Sequence, residues 1–164
     1  MTEQFPILFH TGMAVDDLHK AMADMSGAFG YHSAEPFVSQ RRLRCPDRIR
    51  SRTWRLTSSI EGPHHVELFQ QLDDSALRNL AGGPTVHHLG FEVANVPSEV
   101  ARLAAIGFRE ALTDTGIDGA EGGNSFVYNH HGGLWFELIS SSRRAQIDEW
   151  IAGGPPPNAA QTAP

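Results

Sequence analysis

His10 and His88 stand at the same place in two copies of one phrase. The strings "FHTGMAV" (9–15) and "HHLGFEV" (87–93) both fit His-x-Gly-x-x-Val, so that Gly12 matches Gly90 and Val15 matches Val93. Later in each half a Glu-Leu pair recurs, Glu67-Leu68 in "HHVELFQ" and Glu137-Leu138 in "LWFELIS". Two imidazoles and two carboxylates, one of each per half, make an N2O2 donor set for a divalent metal if the halves pack with pseudo-twofold symmetry. Cys45 is the only cysteine, which excludes a thiolate cluster within one chain and leaves any metal to nitrogen and oxygen. A single strand histidine has many uses, but two at matching positions, each with a glutamate on its face, are hard to place without an ion. Inward-facing Glu is almost never fully buried unless paired or metal-bound.

Such a metal would leave positions for the paired oxygens of a substrate. The most economical chemistry is polarisation of a carbonyl, removal of the α-proton by a carboxylate through a metal-stabilised enolate, and reprotonation at the same or a neighbouring carbon. Ordinary glutamate is a weak base, so the base must be a site glutamate raised in pKa by its surroundings or displaced from the metal. Glu137, between Trp135 and Ile139, is the first choice and Glu67 its mirror image.

These residues need strands to hold them. "ILFHTGMAV" alternates as a strand and leads into "DDLHKAMADMSGAFGY", a helix capped by Asp16 or Asp17, striped by Leu18, Met22, Met25 and Phe29 and stopped by Gly30. "PFVSQRRLR" and "RIRSRTWRLTSSI" read as strands joined around "CPD", and "HHVELFQ" follows "EGP" as another. The second half repeats the order: the strand "TVHHLGFEVANV", a helix from "VPSEVARLAAIGF" with Pro97 in its first turn, a strand at "FREALTDTG", and a hairpin about "HHGG". The reading is βαβββ twice, residues 5–72 and 84–140, joined by "LDDSALRNLAGG" within one domain, 1–140. Residues 141–164 are expected to add a short terminal helix and a disordered Pro-rich tail.

Alternation sorts the faces. In the first strand His10, Gly12 and Ala14 oppose Phe9, Thr11, Met13 and Val15. In its repeat His88, Gly90 and Glu92 oppose His87, Leu89, Phe91 and Val93, and this bulkier face suits packing under a helix. Glu67 shares the open face with His65 and Phe69, and Glu137 with Trp135 and Ile139. His65 and Trp135 are therefore candidates to touch substrate, and His87 is expected on the helix side. His130 and His131 sit at a hairpin turn.

The sequence resembles the vicinal oxygen chelate superfamily, which includes glyoxalase I, methylmalonyl-CoA epimerase, extradiol dioxygenases and resistance proteins of the bleomycin and fosfomycin type. The resemblance covers residues 5–140 and is carried by "FHTGMAVDDL" with the following helix, "HHVELFQ", "HHLGFEV" and "FVYNHHGGLWFELIS". It implies an α+β fold in which two βαβββ modules form a curved mixed sheet around a metal-binding cup. It also implies metal ligands at His10, Glu67, His88 and Glu137, with the metal being Zn, Ni, Co, Mn or Fe. The full ligand set is similar to that of glyoxalase I, whereas the "HHLGFEV" phrasing resembles the epimerase branch. Both point to an isomerase or lyase working α to a carbonyl. A non-catalytic binding or resistance protein using the same cup is the alternative, and an extradiol-type dioxygenase is disfavoured by the extra Glu67. Members of the superfamily often dimerise, so a homodimer is expected.

Bulk composition narrows the partners. A net charge of −6 argues against general nucleic-acid binding, yet seven of the 13 basic residues fall between Arg41 and Arg55. A solvated face or dimer contact is the simpler reading of that run, while Arg44 or Arg50 would be the guanidinium to grip a carboxylate or the phosphates of a CoA thioester. No apolar run approaches the roughly 20 residues of a membrane span, and "MTEQFPILFHTG" lacks the pattern of a secretory signal. A small-molecule substrate and a cytoplasmic address are the expectations.

Overall fold

The computed structural model describes residues 6–73, 85–115, 124–129 and 135–157. Most of the linker expected at "LDDSALRNLAGG", the "HHGG" turn with His130 and His131, and residues 158–164 lie outside the described residues.

Among the described residues, eight strands and three helices run in the order β1 (Ile7–Ala14), α1 (Leu18–Phe29), β2 (Phe37–Arg44), β3 (Ile49–Ser58), β4 (His65–Gln71), β5 (Thr85–Val93), α2 (Val96–Ala105), β6 (Phe108–Asp114), β7 (Asn124–Asn129), β8 (Trp135–Ser140) and α3 (Ser141–Ile151). This is βαβββ twice with a helix appended. The helices begin and end on the expected chemistry. Asp17 caps α1 by accepting from the Lys20 amide at 3.0 Å, and Gly30 closes it at φ 71°, a left-handed turn that suits glycine. Asn95 caps α2, with Pro97 in its first turn. In α1 the expected stripe is buried only at Leu18; Phe29, at the far end, is exposed.

The strands form one closed barrel in the order β1-β4-β3-β2-β6-β7-β8-β5. Each module contributes four adjacent strands, and the seams are antiparallel. One seam is the long β1–β5 pairing and the other is the short β2–β6 pairing at Leu43↔Asp114 and Arg44↔Thr113. Within each module the outer pair is parallel, β1 with β4 and β5 with β8. The sheet is therefore mixed, and its curvature goes on to closure. The outer face of module two buries Val93 and Leu138 under Val96 and Leu103 of α2, with Phe91, Val100, Phe108 and Phe136 around them. That burial leaves the opposite face of β5 and β8 pointing into the barrel. Among the described residues no helix is long and apolar enough to cross a membrane.

Candidate metal centre and cavity

The β1–β5 seam sets the site. In its register His10 lies opposite Gly90 and Gly12 opposite His88. Each imidazole thus crosses the seam and lies over the glycine of the other copy. A Cβ on Gly12 would fall 2.1 Å from the His88 ring, and one on Gly90 would fall 2.2 Å from the His10 ring. The glycines make room for the histidine of the partner strand, beyond the open space that alternation alone foresees beside each histidine's own strand position.

The two rings meet at right angles with their Nε2 atoms 3.0 Å apart. Glu137 Oε2 reaches both, at 3.1 Å from His10 Nε2 and 3.3 Å from His88 Nε2, and Glu67 Oε1 lies 3.9 Å from His88 Nε2. Ligand atoms bonded at about 2.1 Å to one tetrahedral or octahedral ion sit roughly 3.0–3.4 Å from one another. The His10, His88 and Glu137 spacings fall in that interval and Glu67 stands slightly wider. His10, Glu67 and His88 offer donor atoms that all lie within 4.8 Å of each other. His10, His88 and Glu137 are buried, and Glu67 is half-buried. The chain therefore brings together a donor set that suits one metal ion.

Electrostatics separates the two carboxylates. Burial alone would raise Glu137, but hydrogen bonds from His10 and His88, and their charges, hold it well below the usual carboxylate range. Burial raises Glu67, helped by the neighbouring Glu137 and opposed by His10 and His88. Burial would lower His10, yet the Glu137 hydrogen bond and the fields of both glutamates leave it raised. The sequence reading has Glu137 raised as the base. In the structure the raised carboxylate is Glu67, while Glu137, clasped by two imidazoles, is lowered.

A cavity of about 120 Å³ opens beside the cluster, with Glu67, His88 and Glu137 in its wall. Trp135, a candidate to touch substrate, lines it. His65 does not: its Nδ1 donates to the Ser59 carbonyl at 2.8 Å and its ring packs on Phe9. His87, expected under a helix, does line the cavity, stacked on Trp135 and edge-on to Phe69. The reason is a slip in register. Gly12 pairs with His88 but Met13 pairs with Val86, so His87 is an extra residue that turns inward beside His88, as Phe9 is at the matching point of β1. Burial and the adjacent His88 lower the His87 imidazole to about 4.

Arg44 and Arg50 lie away from the cavity. The inward residues of β2 are Ser39, Arg41 and Leu43, so Arg44 points to solvent, and Arg50 is drawn to Asp47 at 3.2 Å near the hairpin turn. The guanidiniums in the cavity wall are those of Arg41 and Arg143, both buried. Arg41 was legible from alternation, since it shares the face of Phe37 and Leu43. Arg143, Ile147 and Trp150 occupy one face of α3 at helical spacing and cover the cavity. Pro157 joins them: part of a tail expected to have little to bury, it is buried, and its carbonyl accepts from Arg41 Nη2 at 3.5 Å.

Solved structures share this architecture. Methylmalonyl-CoA epimerase from Mycobacterium tuberculosis is 20% identical over 85% of this chain and 92% of its own, with a TM-score of 0.59. A variant of Streptomyces coelicolor methylmalonyl-CoA epimerase, in complex with 2-nitronate-propionyl-CoA, is 20% identical over 85% and 96%, with a TM-score of 0.60. A variant of 4-hydroxymandelate synthase from Streptomyces coelicolor is 12% identical over 85% of this chain and 50% of its own, with a TM-score of 0.56. At these identities the likeness is one of fold. No curated protein sequence matches the chain. A family model described as Glyoxalase/Bleomycin resistance protein/Dioxygenase superfamily matches residues 9–128, most of the barrel, and the chain belongs to that superfamily.

Proposed function

We propose that the protein is a metal-dependent isomerase or lyase that moves a proton on the carbon α to a carbonyl. The observation that carries this reading is the meeting of two imidazoles and two carboxylates, one of each from each module, beside a small cavity whose wall includes His88, Glu67 and Glu137. His10, His88, Glu137 and Glu67 would hold one divalent ion, whose Lewis acidity would draw electron density from a substrate carbonyl. Glu67 is the better base of the two carboxylates, because it stands wider from the cluster, faces the cavity and has its proton affinity raised by burial. Its carboxylate takes the α-proton and returns it to the same or the neighbouring carbon. Glu137, fixed between both imidazoles, orients them. Phe69, Leu112 and Trp135 line the cavity and exclude water from the exchanging proton.

The test has two stages. Purified protein should carry one divalent metal per chain, and His10→Ala and His88→Ala should lose it; full retention in both variants sinks the proposal. Metal-loaded protein should then wash deuterium from solvent into an α-chiral acyl thioester or a 2-hydroxy ketone. Metal binding without exchange on either class would instead make the protein a binding module using the same cup.

A further inference from the structure

The superfamily match ends at residue 128, yet the cavity does not. Its outer wall is built by α3 and the following prolines, which bring Arg143, Ile147, Trp150 and Pro157 against Arg41 of β2 and Asp114 of β6. Arg41 Nε lies 3.7 Å from Asp114 Oδ2, both side chains buried, and a second guanidinium, Arg143, is buried at the same wall. Burial, with the like charge of Arg41 second, brings the Arg143 guanidinium down to about 10, against the pull of Glu137, Asp114 and Glu67. Around the whole cavity stand three carboxylates, Glu67, Asp114 and Glu137, and two guanidiniums. With neutral imidazoles that is one net negative charge. A divalent cation inverts it to one net positive charge, which a monoanion cancels. Between the two charged walls the lining is apolar and aromatic, with Phe37, Leu56, Phe69 and Trp54 prominent.

We propose that Arg41 and Arg143 form a seat for the carboxylate of a small organic acid whose carbonyl faces the His10/His88/Glu67/Glu137 cluster, and that α3 is the element that confers this specificity. The proposal rests on the functional reading above for the position of the carbonyl. Size agrees with a compact substrate. A buried water needs roughly 10–15 Å³ of such space, so the cavity of about 120 Å³ holds an acid of about ten non-hydrogen atoms and not a coenzyme A ester as a whole. Guanidinium pairs favour carboxylates because each planar fork donates two parallel hydrogen bonds.

The probe is 4-oxopentanoate, whose carboxylate and ketone are too far apart to close a five-membered chelate on one metal, set against its methyl ester and against inorganic phosphate. All three tryptophans of the chain, Trp54, Trp135 and Trp150, line the cavity, so their fluorescence reports occupancy. The acid should bind about tenfold or more tighter than the ester, Arg143→Gln should erase that preference while leaving ester binding in place, and Arg143→Lys should restore part of it. Equal binding of acid and ester by the native protein overturns the seat without need of any variant. Displacement of the acid by equimolar phosphate overturns the carboxylate assignment. Repeating the titration on His10→Ala separates the two readings. Acid preference that persists there keeps the seat even if the metal reading has failed, whereas stoichiometric metal and deuterium exchange without acid preference would sink the seat alone.

Discussion

At the scale of single residues the site depends on two absent side chains. Gly12 and Gly90 carry no Cβ where one would lie 2.1–2.2 Å from an imidazole of the opposite module. Gly90→Ala should therefore push His10 out of the cluster, and Gly12→Ala should do the same to His88. Each should cost about 1–3 kcal/mol as an overpacked contact and lower metal affinity much further than stability. A denaturant series beside a metal titration checks this, and unchanged metal affinity in both variants would remove the glycines from the site. The carboxylates divide differently. Glu67→Gln should retain most of the metal and slow solvent exchange by roughly 10²–10⁴, while Glu137→Gln, which removes an anion clasped by His10 and His88 at 3.1 and 3.3 Å, should lose metal first. Measuring metal content and exchange on both variants distinguishes base from ligand; the opposite pattern would return the base to Glu137.

At the scale of elements, what the sequence made legible was whatever obeys a simple period. The two βαβββ runs, the caps at Asp17 and Gly30, and the facing of His10, Glu67, His88 and Glu137 all follow from alternation and helical spacing. His87 escaped because a bulge breaks the period of two at that residue, and the pairing that creates the bulge lies in β1, far away in sequence. The Arg41–Arg55 run hid its one buried member, Arg41, among exposed neighbours whose charge dominates any reading by composition. The terminal helix α3 is expected from the sequence, but its place over the cavity is not, for another reason. Its apolar and charged residues do not form an apolar stripe, since the face it buries meets a mixed cavity wall and not a core. Trp150 is its anchor, with its indole N–H donating to the Glu35 carbonyl at 3.0 Å and its ring edge-on to Phe37. Arg144 holds the other side, its guanidinium 3.7 Å above the Phe9 ring. Trp150→Ala should cost about 3–5 kcal/mol and open the cavity, whereas Trp150→Phe, which keeps the packing and loses the hydrogen bond, should cost about 1 kcal/mol. Equal, small losses in a urea series would show that α3 is not docked on the barrel.

At the scale of the whole molecule, the proposed ligands are shared equally between two modules whose strands pair, among the described residues, along two seams, one of them very short. A metal bound by His10 and Glu67 from one module and His88 and Glu137 from the other would cross-link them, so loading the site should stabilise the barrel as a unit. At a free metal concentration of a hundred times the dissociation constant the gain is about 2.7 kcal/mol, which for a chain of this size raises the melting temperature by roughly 5–10 °C. The gain must depend on pH in a definite direction. His10 is raised from 6.5 in the metal-free protein, so the stability linked to its proton is fully present below that value and is lost as pH rises through its folded pKa. Glu67 is raised as well, and its contribution is lost in the same sense. Glu137 is lowered, and its contribution is lost only as pH falls below the ordinary carboxylate range, so it adds no slope near neutrality. Metal requires the unprotonated imidazole and carboxylate. The metal-free protein should therefore weaken across the interval from about pH 6 to 8 while the metal-loaded protein gains, and the gap between their melting curves should widen with pH. The Arg144 guanidinium, which also faces His10, stays charged throughout and leaves the sign unchanged. A gap that is flat or narrows over this interval would mean that protons and metal do not compete for His10.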